Sequence, residues 1–151
     1  MEIVKSLQNQ NAIKYFLIII FGSILLTISA KIKIPFYPVP MTMQTFVVLL
    51  MGITLGWKIS VAIISLYLFE GVVGLPVFAG TPEKGIGIIY FTGPTMGYLI
   101  GFLFASFFSG YLNFKTNIFL IFLKLILSVS IIYILGILWL GNLIGWDKPI
   151  I

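Results

Sequence analysis

Long apolar stretches separated by short loops rich in glycine and proline dominate this sequence. Five such runs occur, at about residues 15–30, 42–55, 59–73, 94–111 and 118–140. They are continuous and do not alternate between apolar and polar residues, which favours membrane helices over a transmembrane barrel. The chain is 60% hydrophobic and 9% charged, whereas soluble domains are about 25% charged. We therefore predict one all-α membrane domain over residues 1–151, a bundle of five transmembrane helices.

The same composition excludes several classes of function. The sequence contains no cysteine, no histidine and only four acidic residues, so it offers neither thiolate metal sites nor histidine-based acid–base catalysis. It has no P-loop motif for binding a nucleoside triphosphate. The net charge of +5 is spread as single lysines, and without a basic tract we expect no nucleic-acid partner. The prediction is a binding protein rather than an enzyme, with no cofactor and no metal.

A proline-rich elbow at residues 34–44 separates the first two apolar runs. It holds three prolines within six residues, and each of them fixes φ and removes a backbone N–H, so no helix can pass through. Thr42 and Gln44 then place a hydroxyl and an amide at the head of the second run. We interpret the elbow as one wall of a binding site; the alternative is a loop that only ends one helix and begins the next.

The second run is short for a helix that must cross a membrane. A hydrocarbon core of about 30 Å needs about 20 helical residues, and residues 42–55 supply fewer. We therefore expect the end next to the elbow to be sunk within the protein.

A second unusual loop, residues 71–87, is rich in glycine and proline but remains apolar. A solvated linker would be polar, so this glycine-rich loop is predicted to re-enter the protein. Glu70 directly precedes it. A carboxylate at membrane depth is a functional candidate, but Glu70 also fits a helix end at the level of the headgroups.

Small residues spaced by four predict two helix-packing faces. Gly97, Gly101 and Ala105 form one face on the fourth run, and Ser23 and Thr27 belong to another on the first run. Hydroxyl groups on a membrane helix can instead bond back to a carbonyl of their own helix, so this alternative stays open for Ser23 and Thr27.

The lysines indicate an orientation by a small margin. With the amino terminus in the cytoplasm, Lys5, Lys14, Lys58 and Lys115 lie inside, in line with the positive-inside rule. The elbow, the glycine-rich loop and the turn that follows Trp139 then share the outer face. We expect them to form a mouth for a small, mostly apolar solute with a few hydrogen-bonding groups.

Four motifs resemble, in order and spacing, those of the BioY family, the biotin-capturing S components of energy-coupling factor (ECF) transporters. The motifs are residues 38–45 (PVPMTMQT), 52–56 (GITLG), 71–80 (GVVGLPVFAG) and 93–102 (GPTMGYLIGF). The resemblance covers about residues 20–112. It implies uptake of biotin across a bacterial plasma membrane, by a multi-pass subunit that docks on a transmembrane coupling protein carrying two ATPase subunits.

The resemblance also implies roles for individual residues. Ser23, Thr27 and Ala30 would face the coupling protein. Lys84 is the nearest loop candidate for the biotin carboxylate, although a solvated loop charge is the alternative for this lysine. The implied substrate-binding residues are Thr42, Gln44, Phe78, Gly80, Thr81, Lys84, Thr95, Tyr98 and Trp139.

The sequence departs from the family pattern near its end. The family has a sixth helix with a Pro-Gly-Asp-x-x-Lys signature that supplies polar ligands, and this signature does not occur here. Either the reading frame is truncated, or a second chain or a homo-oligomer supplies the missing wall. Two other functions stay open: a vestigial membrane protein that binds no ligand, and an S component for another vitamin.

Overall fold

The computed structural model describes residues 2–35, 39–112 and 117–146, with side chains from residue 11 onward. The tip of the elbow at residues 36–38, Lys115 and the side chain of Lys5 lie outside this described part. In chain order the elements are α1 (Glu2–Lys31), β1 (Lys33–Ile34), β2 (Met41–Thr42), α2 (Gln44–Leu55), α3 (Trp57–Val73), α4 (Ile88–Phe91), α5 (Met96–Tyr111) and α6 (Ile118–Ile144).

The prediction of five helical runs is confirmed by α1, α2, α3, α5 and α6, and the short α4 is an addition. Helix α1 begins well before the predicted start, because no proline interrupts the sequence until Pro35. Within the described residues, residues 11–31 of α1 and the whole of α6 are long and apolar enough to cross a membrane, and α2 and α5 are shorter apolar helices.

Two lysines of α1 are separated by nearly the thickness of a membrane. Lys14 and Lys31 are seventeen positions apart in one helix, which corresponds to about 26 Å at 1.5 Å per residue. A hydrocarbon core is about 30 Å thick. Lys14 and Lys31 are therefore placed near opposite interfaces of a membrane.

The elbow closes back on itself through a short antiparallel pairing. Lys33 lies opposite Thr42 and Ile34 opposite Met41, and the Met43 N–H donates to the Ile32 carbonyl at 3.1 Å. Helix α2 follows with only twelve residues. Its first residue, Gln44, is 3% exposed, which confirms that this end of α2 is sunk within the protein.

The long helices pack in a fixed order. Helix α1 packs on α2 and α3, these two pack on α5, and α6 packs mainly on α5. A single residue, Gly56, links α2 to α3, with φ of +79°. Because glycine adopts positive φ without steric cost, the chain can reverse direction there with no loop.

The predicted small-residue face of α5 is confirmed, and its partner is α6. A Cβ added at Gly101 would lie 2.7 Å from the Ile132 Cα atom, and one added at Gly97 would lie 2.5 Å from the Leu135 carbonyl oxygen. Ala105 is fully buried. The backbones of the two helices are therefore in direct contact at Gly97 and Gly101. Any side chain larger than hydrogen at these positions would prevent this contact.

The small residues of α1 lie largely inside the chain. Ser23 is 1% exposed and Ala30 is 0% exposed, and the Ser23 hydroxyl donates to the Glu70 carboxylate on α3. Because neither residue presents surface, the predicted contact with a coupling protein does not fit Ser23 and Ala30 in this packing. Thr27 is half-buried, and its hydroxyl donates to the Ser23 carbonyl at 3.0 Å. This is the bond back to its own helix that the sequence left open as an alternative.

We predict that Gly101→Leu lowers the stability of the bundle. The added side chain would meet the backbone of Ile132, and overpacking of this kind costs about 1–3 kcal/mol. Thermal unfolding in detergent measures the effect. Phe104→Leu places leucine at a half-exposed position of the same helix and is the control; equal melting temperatures for the two variants would contradict the assigned contact.

Candidate functional site

A cavity of about 460 Å³ lies at the end of the bundle that carries the elbow. It is bounded by the elbow, the first half of α2, the glycine-rich loop, α4, α5 and α6. Most of its lining is apolar, with hydroxyl groups and one amide among the exceptions. The lining residues are Val39, Pro40, Met41, Thr42, Gln44, Thr45, Phe46, Leu49, Ala79, Tyr90, Thr95, Tyr98, Leu99, Phe102, Ile132 and Tyr133.

A buried chain of hydrogen bonds forms the polar part of this wall. The Thr42 hydroxyl donates to Gln44 Oε1 at 3.2 Å, and Gln44 Nε2 donates to the Tyr67 hydroxyl at 2.7 Å. The Tyr67 hydroxyl in turn donates to the Val77 carbonyl at 3.2 Å. Because a phenol has one proton to give, Tyr67 must accept from Gln44, and this fixes which end of the amide faces which neighbour.

Gln44 keeps hydrogen-bonding capacity for a ligand. A side-chain amide has two N–H donors and two acceptor lone pairs. The two hydrogen bonds described above use one donor and one lone pair of Gln44. No further partner of this side chain is found among the described residues. Since Gln44 is buried and lines the cavity, the remaining donor and acceptor favour a ligand that carries both kinds of polar group.

The glycine-rich loop enters the protein, as predicted. Phe78 is almost fully buried and stacks on Tyr90 with ring centroids 4.7 Å apart. A Cβ at Gly71 would lie 2.0 Å from the Phe78 ring, so only glycine leaves room for this ring beside α3. Phe78 therefore anchors the loop beneath the cavity, and its neighbour Ala79 forms part of the cavity wall.

Tyr90 holds the same loop from the cavity side. Its hydroxyl donates to the Ala79 carbonyl at 2.6 Å. Burial raises the pKa of Tyr90 above its ordinary value, because a buried phenolate would lose its hydration. The phenol therefore stays protonated, and the hydrogen bond to Ala79 persists at physiological pH.

Lys31 ties the end of α1 to the glycine-rich loop. Its ammonium group donates to the carbonyl of Pro76 at 2.9 Å and to that of Phe78 at 3.0 Å. It also reaches the Thr81 hydroxyl at 3.2 Å. Three donors on one flexible stem suit three acceptors on one loop. This role of Lys31 was not predicted, because its acceptors are backbone carbonyls and one loop hydroxyl 45 to 50 positions away.

The wall made by α5 and α6 depends on the same close helix contact. The ring of Tyr98 lies against Gly136, where an added Cβ would be 2.4 Å from it. Tyr133 meets Tyr98 edge to face, with ring centroids 6.2 Å apart. The Trp139 indole N–H donates to the Gly93 carbonyl at 2.9 Å, so this tryptophan fixes the start of α5 against α6.

The structure brings together some of the predicted substrate-binding residues but not all of them. Those that line the cavity are Thr42, Gln44, Thr95 and Tyr98. Those outside its lining are Phe78, Gly80, Thr81, Lys84 and Trp139. The first three belong to the anchored loop, Trp139 braces α5, and Lys84 is exposed with its stem against Gly80. Contact of these five residues with a solute therefore stays a prediction, whereas the four lining residues already border the cavity.

Several lining residues were not predicted individually, including four on α5 and α6. Leu99 and Phe102 share a face with Tyr98, and Ile132 and Tyr133 lie opposite on α6. The i, i+4 spacing of Tyr98 and Phe102 was available in the sequence. Helix α6 is predominantly apolar, so its hydrophobic pattern alone does not tell which face meets the cavity.

The predicted convergence of three loops is largely confirmed. The elbow, the glycine-rich loop and the part of α6 around Trp139 lie at one end of the bundle, through the bonds of Lys31, Tyr67 and Trp139 described above. No cluster of potential metal ligands occurs among the described residues, and no charged side chain belongs to the cavity lining there.

The fold and the cavity define a class: a helical membrane protein with a mostly apolar cavity built from an elbow, a re-entrant loop and two closely packed helices. The sequence profile of the BioY family matches residues 4–150. The chain belongs to the BioY family.

Individual relatives agree with this assignment. A probable biotin transporter BioY of Pyrococcus horikoshii is 36% identical over 127 residues, which cover 84% of this chain and 74% of the relative. A biotin transporter BioY of Thermotoga maritima is 40% identical over 114 residues, 75% of this chain and 66% of the relative. A crystal structure of the S-component for biotin from an ECF-type ABC transporter superposes with a TM-score of 0.74 at 26% identity, covering 89% of this chain and 77% of that one.

We predict that Tyr67→Phe destabilises the protein. The substitution removes both hydrogen bonds of the Tyr67 hydroxyl, so the buried Gln44 amide and Val77 carbonyl each lose a partner. Unsatisfied buried polar groups cost about 1–3 kcal/mol. Thermal unfolding in detergent reports the loss. Tyr15→Phe removes a hydroxyl from an exposed tyrosine of α1 and should leave the melting temperature unchanged; a similar loss in both variants would argue against the buried chain.

Proposed function

We propose that this chain captures biotin as the S component of an ECF-type transporter, with the cavity between the elbow, α5 and α6 as its binding site. The observation that carries the proposal is the buried, oriented amide of Gln44 on the wall of a mostly apolar cavity. Relatives named as biotin transporters and the fold shared with a biotin S-component support it.

The chemistry of biotin matches the lining of the cavity. Its ureido group carries two N–H donors beside one carbonyl acceptor, which suits the free N–H and lone pair of Gln44 and the hydroxyls of Thr42 and Thr95. Its thiophane ring is apolar and suits Tyr98 and Phe102, since apolar pockets with a few placed polar groups bind such ligands. Its carboxylate would extend toward the mouth, where the exposed Lys84 is the candidate cation.

We further propose an arrangement in the membrane. The cavity faces the outside of a bacterial plasma membrane, and the amino-terminal end of α1 faces the cytoplasm. Transport would require a transmembrane coupling protein and ATPase subunits, since this sequence has no nucleotide-binding motif of the P-loop type. This chain would then supply recognition of the solute and no bond chemistry.

Binding of labelled biotin to membranes that contain this chain and no other BioY protein tests the proposal. We expect saturable binding that unlabelled biotin displaces and that other vitamins, such as riboflavin, do not. The absence of saturable binding in membranes with a folded chain would refute the proposal. Displacement by another vitamin alone would reassign the cavity to that compound.

Gln44→Ala should weaken biotin binding by about 1–3 kcal/mol, because it removes a buried polar partner of the ligand. Equilibrium binding to the purified protein measures the change. Asn11→Ala removes an exposed amide near the opposite end of α1 and should bind biotin like the natural sequence. An unchanged affinity in Gln44→Ala would remove Gln44 from the site.

A further inference from the structure

A second concave surface lies at the end of the bundle opposite the cavity. It is an apolar groove of about 660 Å³ between the middle part of α1 and the carboxyl-terminal half of α2. Lys14 and Thr54 are the polar side chains of its lining. The other lining residues are Ile13, Leu17, Ile18, Phe21, Gly22, Leu25, Leu50, Met51 and Leu55.

The length of this groove matches one leaflet of a membrane. Along α1 its lining extends from Ile13 to Leu25, twelve positions or about 18 Å. Half of a hydrocarbon core of about 30 Å is about 15 Å. A single acyl chain that starts at the depth of Lys14 would therefore follow the groove to the middle of the membrane.

The charge at this end favours an anionic headgroup. The described lysines there are Lys14, Lys58 and Lys124. Of the described carboxylates, Glu83 lies in the glycine-rich loop at the cavity end, and Glu70 accepts a hydrogen bond from Ser23 inside the bundle. Lys14 is exposed and forms no ion pair with a described side chain. A lysine near a membrane surface attracts anionic lipids, so its ammonium group is available to a phosphate at the top of the groove.

We infer that the groove between α1 and α2 binds an anionic phospholipid, with one acyl chain along Leu17, Phe21 and Leu25 and the phosphate on Lys14. Apolar contact holds the chain, and the ammonium group selects the headgroup. The site is separate from the cavity and does not depend on what the cavity binds.

Native mass spectrometry of the purified, delipidated chain tests this inference. Phosphatidylglycerol and phosphatidylcholine with identical acyl chains are added separately, and the fraction of protein that retains one lipid is measured. We expect about five-fold tighter retention of phosphatidylglycerol, the size of one lysine contact at a membrane surface. Lys14→Gln should abolish the preference, whereas Lys33→Gln, which removes an exposed lysine at the opposite end, should keep it.

A second pair of variants tests the apolar part of the site. Leu17 is 60% exposed along the groove, and its neighbour Phe16 is similarly exposed but outside it. Leu17→Trp should fill the groove and reduce retention of both lipids, and Phe16→Trp should not. Equal retention of the two lipids by the natural sequence, or equal effects of Lys14→Gln and Lys33→Gln, would overturn the inference. The inference would also be overturned if Leu17→Trp retained lipid but no longer co-purified with a coupling protein. That result would assign the groove to a protein partner.

Discussion

The buried hydroxyl of Tyr67 is the point on which the cavity depends. It accepts a hydrogen bond from Gln44 at the start of α2 and donates one to Val77 in the glycine-rich loop. Three segments that are far apart in sequence are thereby held at one point in an apolar interior, where an unmatched polar group is costly. The same bonds orient the Gln44 amide, so the interaction that joins the elbow to the loop also prepares the wall of the cavity for a polar ligand group.

Much of the fold follows from the sequence because few structures satisfy it. Continuous apolar runs need helices in a membrane, since every backbone N–H and carbonyl must find a partner within the chain. Three prolines force the elbow, and the spacing of Gly97 and Gly101 predicts a close helix contact. In each case a local property of the residues leaves a single structural solution, and the structure contains that solution.

The details of the site could not be predicted in the same way. The sequence places Phe78 and Tyr98 in conspicuous motifs, but only burial tells that Phe78 anchors the loop while Tyr98 lines the cavity. Helix α6 is predominantly apolar, so its hydrophobic pattern does not distinguish its two lining residues. Lys31 is another example, because its partners are mostly backbone carbonyls, and every residue has one. These assignments depend on long-range packing, which spacing within a segment does not encode.

The backbone contact between α5 and α6 has a mechanical consequence. Where two helices meet through glycines, no side chain at the contact can change rotamer to let one helix slide past the other. We therefore expect α5 and α6 to move as one rigid unit. Tyr98, Phe102, Ile132 and Tyr133 would then keep their relative positions during any motion of the protein. Helices α2 and α6, by contrast, scarcely touch beside the cavity. Opening and closing of the cavity would therefore come from its other walls, the elbow with α2 and the glycine-rich loop with α4, moving relative to the α5–α6 pair.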